Sequence, residues 1–135
     1  MFRAIPLFVL LLVAYNVSMV FGDNVNSLLS SSLYSFGLIS GASWTLTVSD
    51  LYITLGVITL YIEILKATRT GTASVIDHGL SMLVFIIFLV EFLVVQACGT
   101  STFFILGLMS LLDVIAGFTV SIVAARRDFS IGGAD

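Results

Sequence analysis

The sequence predicts an all-α membrane protein, a four-helix transmembrane bundle with a small extracytoplasmic β-hairpin. Three observations predict it. Hydrophobic residues make up 59% of the 135-residue chain and charged residues only 10%, with a mean hydropathy of +1.20, which is more apolar surface than a soluble domain can hide. That surface is gathered into four runs, each close to the roughly 20 residues that cross a hydrocarbon core of about 30 Å. All five basic residues fall on one side of the arrangement those runs imply.

The first run covers about 5–21 and is opened by Pro6, which suits a first helical turn. A second reading takes "MFRAIPLFVLLLVAYNVSMVFG" as a signal peptide, with a basic start, an apolar core and small or light residues at Val20 and Gly22; three spans of the same sidedness would then remain. The outside loop, 22–49, is the only long connection. It begins polar ("GDNVNSLLSSS") and then alternates around Gly41, the pattern of a hairpin. We expect a lid over the helix ends with Tyr34 and Trp44 at the interface; the alternative is a docking surface.

The second run covers about 50–68, with Ser49 or Asp50 as its cap. The third covers about 75–97, preceded by the Ser-x-x-acid pattern Ser74 to Asp77. A tight turn, "CGTST", leads into the fourth run, about 102–125. The closing "RRDFSIGGAD" reads as a short flexible tail whose two arginines anchor the last span. The whole of 1–135 is thus one transmembrane domain.

Sidedness follows from the basic residues. Arg3 precedes the first run, Lys66 and Arg69 lie between the second and third, and Arg126 and Arg127 follow the fourth. That side should be cytoplasmic, which puts both termini inside, as an even number of spans requires.

A few acids need another explanation. Asp50 can cap a helix. By helical rise, Glu63 lies roughly 20 Å, Asp113 roughly 16 Å and Glu91 roughly 9 Å below the outer ends of their helices. Asn16 falls in the slab of the deeper two. Charged acids at such depth face protein or water, not lipid. Small and polar stripes agree: Gly107, Ser110, Asp113, Gly117, Ser121 and Ala125 on the fourth run, and Gly56, Thr59 and Glu63 on the second. On the third, Asp77, Ser81, Glu91 and Cys98 share an arc of about 120°. Glu63 should pair with Lys66 three residues on. Glu91 and Asp113 have no evident cation in this chain. Three roles are open to them: protonated hydrogen-bonding groups (to Asn16, Ser110 or a backbone carbonyl), ion-pair partners for another protein, or carriers of a proton or cation.

The loop at the basic side holds Lys66, Arg69, Asp77 and His78. Basic residues at a helix end and acids at a helix start suit the helix dipole. His78 reads first as a simple interfacial residue, the alternative being a group that titrates near neutral pH, and "RTGT" as a lipid-phosphate contact, not a P-loop. "EILKATRTGTASVIDHGLSM" together with "ARRDF" resembles an uncharacterised group of small four-span bacterial inner-membrane proteins. The resemblance implies the same topology, in the bacterial inner (plasma) membrane, and no activity or ligand.

Several function classes are excluded. One histidine and one cysteine assemble neither a metal site nor a catalytic triad, and there is no Gly-x-Ser-x-Gly elbow. No cofactor and no enzymatic activity are expected, and without a basic surface no nucleic-acid partner. The "NVS" sequon at Asn16 lies inside an apolar run. The leading expectation is a non-enzymatic accessory or interaction subunit of a larger membrane assembly. Its partners would be the lipid bilayer and another membrane protein, or a second copy of itself, met through the small and polar helix faces. The alternative is a small homo-oligomeric proton or cation transporter using Glu91 and Asp113.

Overall fold

A computed structural model describes residues 5–22, 24–68 and 72–131. In chain order the elements are α1 (Phe8–Phe21), α2 (Val25–Ser30), β1 (Ser32–Gly37), β2 (Ser43–Thr47), α3 (Val48–Ala67), α4 (Thr72–Val94), a 3-10 turn (Gln96–Cys98) and α5 (Ser101–Ile131). Within α3, α4 and α5 the stretches Val48–Ala67, Ile76–Val94 and Ser101–Val123 are long and apolar enough to cross a membrane, pointing to a membrane protein. The first of the four expected spans is different. α1 is apolar but has 14 residues, a length of roughly 21 Å against a core of about 30 Å.

Helix starts differ from expectation in ways the hydrogen bonds explain. α3 is capped by Thr47, not by Ser49 or Asp50. The Thr47 hydroxyl accepts from the Asp50 backbone N–H, and the Asp50 carboxylate accepts from the Thr47 N–H at 2.9 Å, a reciprocal capping box. α1 begins at Phe8, two residues after Pro6, through a tight turn in which the Val9 N–H donates to the Pro6 carbonyl. α4 already begins at Thr72, so Asp77 lies beyond its first turn and is not a cap; the Ser74 side chain lies outside the described residues. α4 ends at Val94, which puts Cys98 on the following turn and not on the α4 arc. There the Thr100 hydroxyl accepts from the Phe103 N–H and starts α5. α5 runs to Ile131, so much of the expected tail is helical; Ala and Arg favour helix, and it continues almost to Gly132 and Gly133.

α5 packs along both α3 and α4, and α1 lies across all three. The core is where they meet: Phe8, Leu11, Leu12 and Tyr15 from α1, Val84 and Phe88 from α4, Phe103 and Leu106 from α5, with Leu29 of α2 and Cys98. Among the described residues the small stripes face inward, with Gly56 and Glu63 of α3 and Ser110, Asp113 and Gly117 of α5 buried. Gly56 admits α5 so closely that an added Cβ would lie 2.7 Å from the Met109 sulfur and 2.8 Å from Leu106 Cδ2.

The expected hairpin is present. β1 and β2 pair antiparallel with Phe36 opposite Trp44, and Gly41 takes a φ of 84° in its turn. A short helix precedes it that the sequence reading did not separate from the loop. This is α2, capped by the Asn24 side chain. The lid role falls to α2, whose Leu29 is buried in the core, whereas every β1 residue is exposed.

Candidate functional site

Polar side chains inside the bundle form two layers, one toward the hairpin end and one toward the opposite end, where α3 gives way to α4.

The hairpin-end layer is built by α1, α4 and the 3-10 turn. Asn16 Nδ2 donates to Glu91 Oε2 at 2.8 Å and to the Leu12 carbonyl at 3.0 Å. Asn16 therefore belongs with Glu91 and not with the deeper acids. The buried Cys98 thiol lies 3.9 Å from the same Glu91 oxygen. Burial, then the charge of the Glu91 carboxylate, push the Cys98 thiol up to about 11. Around this pair, the Tyr15 hydroxyl bonds to Thr100, and Ser49 to Thr102 at 2.7 Å. Among the described residues no basic side chain pairs with Glu91.

The far-end layer is more highly charged. Lys66 Nζ lies 2.8 Å from Glu63 Oε2 and 3.1 Å from Asp77 Oδ1, so one ammonium bridges α3 and α4. Glu63 is 2% exposed, Asp77 7% and Asp113 5%, so three carboxyl groups are withdrawn from solvent around one cation. Asp113 comes in from α5, with the Ser81 side chain against it and Glu63, Asp77 and Lys66 near enough to act on its charge. Among the described residues Asp113 pairs with no basic side chain, and Lys66 acts on it only as a more distant charge. The expected Ser110 bond is absent as well. Ser110 Oγ and Asp113 Oδ2 are both buried without a hydrogen bond, and Asp77 Oδ1 is held by charge without a directed one.

Glu63 and Lys66 also close the start of α1. The Leu7 N–H donates to Glu63 Oε1, and Lys66 donates to the Ile5 carbonyl at 3.1 Å. α1 has no side-chain cap of its own, so a carboxylate from another helix serves one of its orphan donors. The Glu63–Lys66 pair read from the sequence is thus present, but as a buried tie between three helices.

His78 packs between helices and does not face outward. It is 5% exposed and wedged against α5: Nε2 lies 2.8 Å from Ser121 Oγ, and its ring lies 5.8 Å from that of Phe118. The ring fills the place of a side chain at Gly117, where an added Cβ would fall 2.5 Å from Nδ1. Arg3, Arg69 and the "RTG" of the loop lie outside the described residues, as does the Arg127 side chain; Arg126 is exposed.

Sequence reasoning missed the reach of Lys66 to Asp77 and the capping of α1 by Glu63. Neither had a local signal, since both depend on which helix ends meet. Among the described residues no three His, Cys, Asp or Glu side chains are arranged to hold a metal ion. No protein-family model, curated protein or solved structure matches this chain.

Proposed function

We propose that this chain is a small multi-pass membrane protein that takes up and releases a proton at its far-end carboxyl layer, as a proton transporter or channel. One observation carries the reading: Glu63, Asp77 and Asp113 are buried in one layer, where the single ammonium of Lys66 pairs with the first two. Fully ionised, that set holds three negative charges against one positive. Binding one proton brings the set closer to charge balance, and buried acids of this kind mark ion and proton pathways in membrane proteins. Lys66 already occupies the position between Glu63 and Asp77, which leaves a proton as a better occupant than a metal cation. In this reading α1 completes a four-helix bundle in the bacterial inner membrane, the basic side is cytoplasmic, and both termini are inside.

Flux measurement tests it. The purified chain in liposomes should dissipate a proton gradient, followed with a trapped pH-sensitive dye. Asp113→Asn, nearly isosteric, should abolish that flux while the helical content and detergent-solubilised size stay those of the wild type. Flux that survives Asp113→Asn would sink the reading.

The accessory-subunit reading keeps one specific support. A wholly apolar groove of about 350 Å³ runs between α4 and α5, lined by Phe85, Phe88, Phe92, Phe104 and Leu108 with Gly107 on its wall. Small residues beside aromatic walls suit close approach of another span. Mass measurement of the protein drawn from its native membrane in mild detergent decides it. A second protein in fixed ratio supports an accessory role; the chain alone, or only with itself, removes it.

A further inference from the structure

We propose that His78 delivers protons to Asp113 from the cytoplasmic side, through a polar seam between α4 and α5 formed by Ser121, His78, Ser81 and Asp113. The proposal rests on the proton-binding reading of the far-end layer and names the route into it.

The seam follows from helical spacing on two facing helices. On α4, Ser81 lies one turn beyond His78; on α5, Asp113 lies one turn before Gly117, and Ser121 one turn after it. The contacts set these residues side by side. His78 Nε2 meets the Ser121 hydroxyl at 2.8 Å, its ring fills the space over Gly117, and Ser81 lies against Asp113. The seam ends at Asp113 Oδ2 and Ser110 Oγ, two buried polar atoms without hydrogen bonds. Beyond them the interior turns apolar at Phe88, Phe103 and Leu106, all at most 1% exposed. The polar track thus runs from Ser121, which is partly exposed, to the buried carboxyl group of Asp113.

The two ring nitrogens suit relay. Neutral imidazole accepts a proton at one nitrogen and releases one from the other. It ends neutral, and the Asp113 carboxylate becomes a carboxylic acid. Ser81 lies beside the receiving group. The charged groups nearest along the two helices are Asp77, which precedes His78 on α4, and Asp113, one turn before Gly117 on α5, while Lys66 and Glu63 meet Asp77 from the α3 side.

Liposome flux over about pH 5 to 8 tests the route, because imidazole titrates within that window. His78→Gln keeps a hydrogen-bonding side chain and removes the titration. Flux should fall by tenfold or more, on the order of one lost proton-transfer group, and its pH profile should flatten. In His78→Ala, free imidazole should restore flux. Gly117→Ala, which pushes a methyl group into the ring, should lower flux with His78 still present. If His78→Gln fails to assemble, Ser121→Ala carries the test, with the ring intact and its partner removed. Wild-type flux and pH profile in His78→Gln, or in Ser121→Ala where that variant stands in, overturn the route, as does a His78→Ala defect that imidazole cannot relieve. Asp113→Asn in the same series separates the two failures. If it abolishes flux while His78→Gln does not, only the route is wrong. If it leaves flux intact, the proton-binding reading falls and the route with it.

Discussion

Lys66 and Asp77 join α3 to α4, with Nζ 3.1 Å from Oδ1, while the same ammonium holds Glu63 at 2.8 Å and the Ile5 carbonyl at 3.1 Å. One cation therefore ties three helices together at the end opposite the hairpin. Removing it strands buried carboxylates, which is costlier than losing a surface pair. Lys66→Met should destabilise the chain by about 3–5 kcal/mol, read as a lowered unfolding midpoint in detergent. Adding Glu63→Gln and Asp77→Asn to Lys66→Met should recover part of that loss. A Lys66→Met protein as stable as the wild type would show that the bridge is not what holds these helices.

The Asn16–Glu91 bond is the polar tie between α1 and α4 at the other layer. Asn16→Leu leaves the carboxylate without its nearest donor and should cost about 1–3 kcal/mol. Asn16→Leu with Glu91→Leu together should cost less than the sum of the two single changes, since neither leaves an unpaired group. Unfolding midpoints of the four proteins measure the coupling; additive effects would separate the two residues.

Cys98 supplies a pH dependence. Its thiol is fully buried, and burial followed by the Glu91 carboxylate raises it from 9.0 to about 11. The folded state thus holds the thiol proton more tightly than the unfolded state. The associated stability is complete below pH 9.0 and is lost as pH rises through about 11. Alkylation of the folded protein at pH 8 should be slow, because the thiolate is the nucleophile, and should become fast on denaturation. Glu91→Gln removes the smaller cause only, so the thiol should titrate somewhat lower yet still above its ordinary value. Alkylation rate against pH checks each point, and a wild-type thiol titrating near its ordinary value contradicts the buried site.

Much of this arrangement was legible in the sequence wherever the signal was local. The 3.6-residue spacing of Ser110, Asp113 and Gly117 gave the inward face of α5, and alternation about Gly41 gave the hairpin. Glu63 three residues before Lys66 gave an ion pair. What depended on how helices dock was not legible. Depth along separate helices put Asn16 with Glu63 and Asp113, but α1 starts only at Phe8 and leans on α4, which carries Asn16 to Glu91. Asp77 looked like a cap because Ser74 precedes it; the helix starts earlier, at Thr72, and the carboxylate turns to Lys66. The packing of His78 was not legible either, because its neighbours in sequence do not include Gly117 and Ser121.

Trp44 is the only tryptophan, so its fluorescence reports the hairpin alone. Its ring stacks on Phe36 at 5.6 Å and 20°, and Phe36 in turn contacts Tyr34 at 4.6 Å. The three aromatic rings remain 43–61% exposed, and Ile39 at the tip is fully open. Such an aromatic ladder at the end of an apolar bundle suits the headgroup region, where rings that are part polar and part apolar settle. In reconstituted vesicles Trp44 emission should shift to the blue relative to free tryptophan. Lipids brominated near the glycerol end of the acyl chain should quench it more than lipids brominated at the chain terminus, with aqueous iodide quenching weakly. Emission at the position of free tryptophan with strong iodide quenching would place the ladder in water instead. An apolar surface held there would be a docking face for another protein, and Ile39→Lys should then leave vesicle binding unchanged while weakening that association.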